Sequence, residues 1–268
     1  MDDKLKANQA NWDERVPLHA ESPFYDVEGF KAGRMTLDSL ETGELGDVTG
    51  KTLLHLQCHF GLGTLSWTRL GAIATGMDFS AKGIALARKL AEELNLPARF
   101  ICSDLYDLPN KLDERFDIVF TSYGVLTWLP DLKGWARVVA RFLKPGGTFF
   151  IAEIHPFAMT LLDEEITELR FHYPYFQKGS MRFDDLGSYA TERTDTRNNT
   201  TYEWMYPLGE VVTALIEAGL RIETLREFSQ SCYQMLPFMV KGEDGFWYLP
   251  ENKDALPFTF TIKATLPE

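Results

Sequence analysis

The residue types able to do chemistry in this 268-residue chain gather between positions 52 and 155. An apolar run, Thr52-Leu53-Leu54-His55-Leu56, breaks into the turn-like stretch Gln57-Cys58-His59-Phe60-Gly61-Leu62-Gly63, and a helical pattern starts at Thr64. Gly61 and Gly63 let backbone approach a ligand closely, and the helix behind them offers free N–H groups. Asp78 stands at the end of the next apolar run, where a carboxylate can accept both hydroxyls of a ribose. Ser103-Asp104-Leu105 follows a third such run, Thr121-Ser122-Tyr123 a fourth, and His155 a fifth. An imidazole at that last place can take a proton from an oxygen, nitrogen or sulfur nucleophile, or instead bond Glu153 and position a substrate. His55 and His59 are four apart, but on a strand and turn they share no face, so no metal is expected.

The elements that must position these residues alternate. Strands are expected at 52–56, 72–77, 98–102, 116–121 and 148–153. Helices fall between them, with Gly83, Ala87, Leu90, Ala91 and Leu94 on one face and Leu132, Trp135, Ala136, Val139 and Leu143 on another. Ser80 is placed to cap one helix and Gly71 to end another. Strand–helix alternation of this length means βαβ units and a parallel sheet whose strand C-termini share one edge. Gly61, Asp78, Ser103-Asp104-Leu105, Thr121-Ser122-Tyr123 and His155 line that edge. A further helix around Leu208–Leu215, closed by Gly219, and two strands, Leu220–Phe228 and Phe258–Thr265, end the chain.

On these segments the chain resembles the class I S-adenosylmethionine-dependent methyltransferase family. The matching pieces are Leu54–Gly61, Gly76-Met77-Asp78-Phe79-Ser80, Ser103-Asp104-Leu105, Phe116-Asp117-Ile118-Val119-Phe120 and Leu143-Lys144-Pro145-Gly146-Gly147. The resemblance implies an α/β fold with a doubly wound, mostly parallel seven-stranded sheet (Rossmann-like) and an antiparallel final strand. It implies S-adenosyl-L-methionine as cofactor and S-adenosyl-L-homocysteine as product. Gly61 and Gly63 would then pass the methionine part, Asp78 would hold the ribose, and Asp104 with Leu105 would frame the adenine. Leu56, Gln57, Thr64, Phe79, Ser103 and Thr121 complete the expected cofactor set. The chain departs from the family at His55, where an acid is usual, and at Gln57 and His59, where glycines are usual.

Residues 1–50 read as an N-terminal cover, with a short helix around Asn8–Arg15 and then irregular chain carrying Phe24, Tyr25 and Phe30. Trp12, Arg15 and Tyr25 are its candidates for closing over the cofactor, Arg15 by pairing the cofactor's carboxylate. Residues 51–268 read as the main domain, with an aromatic-rich insertion at 157–206 that also carries the acidic cluster Asp163, Glu164 and Glu165. The insertion leaves the sheet at the active edge, so it is expected to act as a lid. The expected substrate-facing residues are Tyr25, Tyr123, Trp128, His155, Phe157, Trp204 and Tyr206, with His155 as the catalytic candidate.

A net charge of −12 argues against a polyanionic partner, since nucleic-acid binding needs clustered Lys and Arg. The Asn/Asp-Pro-Pro-Tyr type of motif for base methylation is absent after the fourth strand, which reads Thr121-Ser122-Tyr123-Gly124. A small-molecule substrate, no membrane partner and a monomer or homodimer are therefore expected. Cys58, Cys102 and Cys232 form neither a disulfide framework nor a zinc pair, and the polar start shows no signal segment, so a cytoplasmic setting is expected. Two rival readings share the pattern: a non-catalytic S-adenosylmethionine-binding protein, and a nicotinamide oxidoreductase with Ser66 where its third small residue would fall.

Overall fold

Apolar strands of four to seven residues need cover on both faces, and here helices supply it. The computed structural model describes residues 2–161, 168–191 and 193–268. In chain order the elements are α1 (Asp3–Glu21), α2 (Val27–Lys31), α3 (Ser39–Leu45), β1 (Thr52–Leu56), α4 (Leu62–Arg69), β2 (Ile73–Asp78), α5 (Ala81–Glu93), β3 (Arg99–Cys102), β4 (Phe116–Ser122), α6 (Leu132–Phe142) and β5 (Leu143–Ile154). They continue with β6 (Ser180–Asp184), β7 (Thr200–Trp204), α7 (Leu208–Glu217), β8 (Arg221–Phe228), β9 (Val240–Lys241), β10 (Trp247–Tyr248) and β11 (Thr259–Thr265). Seven strands form one sheet in the order β3-β2-β1-β4-β5-β11-β8. Strand β11 runs antiparallel to both neighbours, and the β1–β5 pairings are parallel. That reversed strand separates the sheet from the all-parallel order of dinucleotide-binding enzymes.

One face packs Leu54, Val119, Phe149, Ile151 and Phe260 against Trp135, Val139 and Leu215. The other buries Leu53, Ile118, Phe120 and Phe150 under Trp67, Leu45 and Val48. The sharp turn after β1 rests on β2, where Gly76 leaves room for it. A Cβ there would lie 2.8 Å from both Cys58 Sγ and Thr64 Oγ1.

The sequence expectations hold for the five central strands, and the N-terminal segment is more regular than expected. Helix α1 runs from Asp3 to Glu21 rather than 8–15, because Asp2 caps it by accepting from the Leu5 N–H. Two short helices, α2 and α3, replace the irregular chain expected after it. Of the insertion, β6 and β7 pair antiparallel, while the acidic cluster at 163–165 lies outside the described residues. A segment between β8 and β11, overlooked in the sequence, folds over residues 158–161 through Leu236, Met239, Leu249 and Phe258.

Gly61 provides a direct test of this packing. Its φ is +84°, and a Cβ would meet the Phe100 ring at 2.7 Å and Ala87 Cβ at 2.9 Å. Gly61→Ala is expected to lower the unfolding free energy by about 2–4 kcal/mol in denaturant titrations. Gly43→Ala, inside α3 with open space around its Cβ, should instead raise the midpoint slightly.

Candidate active site

The turn after β1 is built from left-handed backbone. Gln57 and His59 take φ of 56° and 53°, and Gly61 follows at 84°. Two side-chain residues thus adopt conformations that glycine takes more easily, a strain of about 1–3 kcal/mol each. Asp78, buried at the end of β2, holds the turn in place. Its carboxylate accepts from the His59 N–H at 2.9 Å and from the Ser80 N–H at 2.8 Å. Burial raises its pKa to about 7, against the lowering effect of those two donors.

On the other side, the Gln57 amide donates to the Val125 carbonyl at 2.9 Å, leaving its Oε1 buried without a partner. Val125 is in turn fixed by Glu153, a buried β5 carboxylate that accepts the N–H groups of Gly124, Val125, Leu126 and Ile154. Burial raises the Glu153 pKa despite those four donors.

Beyond β2 a cleft of about 500 Å³ opens at the same sheet edge, lined by Gln9, Phe79, Ser103, Asp104 and Tyr106. Asp104 caps the turn after it by accepting from the Tyr106 N–H at 2.8 Å, and Leu105 is buried in the core. A second cleft, of about 270 Å³ around Lys51, Asp117 and Lys144, lies among the loops at the opposite edge. There Asp117 is already paired with Thr52 and Lys144. Of the residues expected at the site, Phe79, Ser103 and Asp104 line the first.

Helix α1 roofs this edge. Gln9 donates to the Phe79 carbonyl at 2.6 Å, and Asp13 accepts from the Ser80 hydroxyl at 2.6 Å. Trp12 meets His59 and Trp128 edge-on, at 5.1 and 5.3 Å between ring centres. The same helix is clasped by the insertion. Asn8 both donates to and accepts from the Tyr202 backbone at 2.7 Å, and Asn11 donates to the Asn198 carbonyl at 2.6 Å. His19 lies 3.0 Å from the His59 Nε2 and 2.6 Å from the Ser188 hydroxyl. Burial lowers its pKa to about 3, so this imidazole is neutral.

Several residues singled out from sequence serve the scaffold. Thr121 donates its hydroxyl to the Leu56 carbonyl, tying β4 to β1, and Thr64 bonds His55. Gly63 faces that same His55, since a Cβ on it would lie 3.1 Å from the ring. Gly61 is required by its close contacts with Phe100 and Ala87. His155 has both ring nitrogens engaged: Nδ1 accepts from the Phe157 N–H at 3.0 Å, and Nε2 lies 2.8 Å from Glu227. That leaves it no free lone pair and makes it a clamp on the turn after β5, which does not fit the expected role of base.

Tyr206 donates to the Leu129 carbonyl and packs on the core, Trp204 is buried in β7, and Phe157 packs on Phe171. Tyr123, Tyr25 and Trp128 stay at the site. Tyr123 donates to Asp38 at 2.6 Å, and the Tyr25 hydroxyl lies 2.5 Å from that of Tyr189. Sequence reasoning missed Asp38, Glu41 and Tyr189 here; the Asp38-x-x-Glu41 spacing, a capping box in the structure, was the available signal.

Residues 54–151 match the family model described as a methyltransferase domain. A ubiquinone biosynthesis O-methyltransferase of Coxiella burnetii is 34% identical over 106 residues, which is 40% of this chain and 44% of that protein. The chain thus spans under half the length of that relative. An S-adenosylmethionine-dependent methyltransferase structure from Mesorhizobium loti superposes with a TM-score of 0.59 at 23% identity, covering 83% of this chain and 94% of the other. The glycopeptide N-methyltransferase MtfA, in complex with S-adenosyl-L-methionine, gives a TM-score of 0.56 at 17% identity over 85% and 92%. Residues 54–151 thus match a methyltransferase domain, and the fold is the one shared with these S-adenosylmethionine-dependent methyltransferase structures.

The raised pKa of Asp78 has a measurable sign. An acid with a higher pKa folded than unfolded binds more protons when folded, so its contribution favours folding below the unfolded value of 3.8 and is lost as pH rises to about 7. Asp78→Asn should flatten the fall in ligand-free stability between pH 4 and 7, read from urea midpoints. His155→Gln should lower the melting temperature while leaving S-adenosylhomocysteine affinity within about twofold, as expected for a scaffold residue.

Proposed function

We propose that the chain transfers the methyl group of S-adenosylmethionine to a nucleophilic atom of a small molecule. The observation that carries this reading is the convergence, at one sheet edge, of the Phe79–Ser103–Asp104 cleft, the Asp78 carboxylate and the unpartnered Gln57 Oε1. An acceptor atom buried without a donor is costly, and the ammonium of a methionine moiety is a suitable donor for it. The set fits the cofactor. Asp104 and Leu105 would flank the adenine, Asp78 has lone pairs left for a ribose, and Gln57 would hold the amino-acid end.

When bound, S-adenosylmethionine supplies a sulfonium methyl open to in-line displacement. The chain's own contribution is placement and exclusion of water. Helix α1 and the insertion cover the edge, and Trp12 and Trp128 put aromatic faces beside the turn. Orienting two reactants in this way lowers a barrier by several kcal/mol without a charged catalytic group. The net charge of −12 supports a substrate other than nucleic acid. Among the described residues no helix is long and apolar enough to cross a membrane, and the three cysteines are free thiols, which supports a reducing, cytoplasmic setting.

Calorimetry tests the reading. S-adenosylhomocysteine should bind saturably while NADH gives no heat, and Asp78→Ala should weaken binding by about 1–3 kcal/mol. Binding of NADH alone would overturn the assignment.

A further inference from the structure

Arg15 is the most unusual charge in the molecule. It lies on the inner face of α1 at 9% exposure, and its Nε is buried with no hydrogen-bond partner. Among the described residues no carboxylate comes within ion-pair distance of it. Its guanidinium sits 5.8 Å from the Trp12 ring centre. The groups whose charges act on it are Tyr189, Glu203, Asp185 and Tyr25, and removal from water lowers its pKa. Glu203 is held by Thr127 at 3.2 Å, and Asp185 is exposed. A buried guanidinium left without a hydrogen-bonded anion is strongly unfavourable, and proteins otherwise pair such groups.

The neighbourhood says what is missing. Gln9 and Asp13 of α1 face the cofactor side, at Phe79 and Ser80. Arg15 faces the other way, among residues of the N-terminal segment and the insertion. Beside it the Tyr25 and Tyr189 hydroxyls pair, and Tyr189 is 54% exposed, at the solvent end of the group. Tyr25 also packs on His59 and Phe60 of the turn, so the group adjoins the place where methyl transfer would occur. A planar fork of donors fits a carboxylate, and the ring faces of Trp12 and Tyr25 fit an apolar body attached to it.

We infer that Arg15, with the Tyr25–Tyr189 hydroxyl pair, forms the subsite for a carboxylate on the methyl acceptor, which is a small organic acid with an apolar body. The inference rests on the methyl-transfer reading and adds the acceptor's chemical class. The carboxylate supplies the counter-ion that the fold leaves out, so acceptor binding also stabilises the roof. In the ligand-free protein the unpaired cation is a liability.

The test uses the full chain saturated with S-adenosylhomocysteine and follows tryptophan fluorescence. The probes are benzoate and 4-hydroxybenzoate, each set against its neutral amide. The acids should bind at least about tenfold tighter than the amides, the worth of one charged hydrogen-bonded contact. Arg15→Met should abolish that preference, keep S-adenosylhomocysteine affinity within about twofold, and raise the melting temperature of the ligand-free protein. Tyr189→Phe, a milder change, should reduce the preference without altering the fold. No preference for acid over amide, including binding of neither probe, overturns the inference. So does a loss of S-adenosylhomocysteine affinity in Arg15→Met with 5′-methylthioadenosine affinity unchanged, which would assign Arg15 to the cofactor's carboxylate. Failure of the wild-type chain to bind S-adenosylhomocysteine at all removes the methyl-transfer reading, and this inference with it.

Discussion

The site depends on two hydrogen bonds to one carboxylate. Asp78 receives the N–H of His59 from the turn after β1 and the N–H of Ser80 from the start of α5. Together with the Cys58 N–H bond to the Met77 carbonyl, they hold the left-handed backbone at Gln57 and His59. The strain has a use, because it turns the Gln57 side chain toward Val125 and leaves its second amide atom as a buried acceptor without a donor. A glycine at 57 would relax the backbone and lose that acceptor. Strain kept where the surroundings over-determine it is typical of ligand sites.

Around this knot the protein is layered by charge. Buried acids do structural work first: Glu153 orders the turn after β4, and Asp38 and Glu41 cap α3. Burial, with Asp38 alongside, holds Glu41 at a pKa of about 8, and burial also raises that of Asp38. Against this acidic background Arg15 is conspicuous as the buried cation of the roof.

Much of this was legible in the residues. The central strands read clearly because apolar runs alternate with helical stripes, and Asp78, Ser103 and Asp104 followed because strand ends share one edge. Three things were hidden, each for a physical reason. Helix α1 carries polar residues on most of its surface, since it binds the insertion through Asn8, Asn11 and Glu14 instead of through an apolar stripe. The 229–257 segment has almost no regular strand to betray it. The engagement of His155 depends on Glu227, seventy-two positions away, which no local pattern reveals.

Asn8 pairs with the backbone of Tyr202 as a neighbouring strand would, and Glu14 takes the N–H groups of Arg197 and Asn198. Two segments almost two hundred residues apart are thereby joined into one plate. Pulling the helix from the insertion breaks these bonds together, so the N-terminal segment gains its place only once the distant insertion has folded against it.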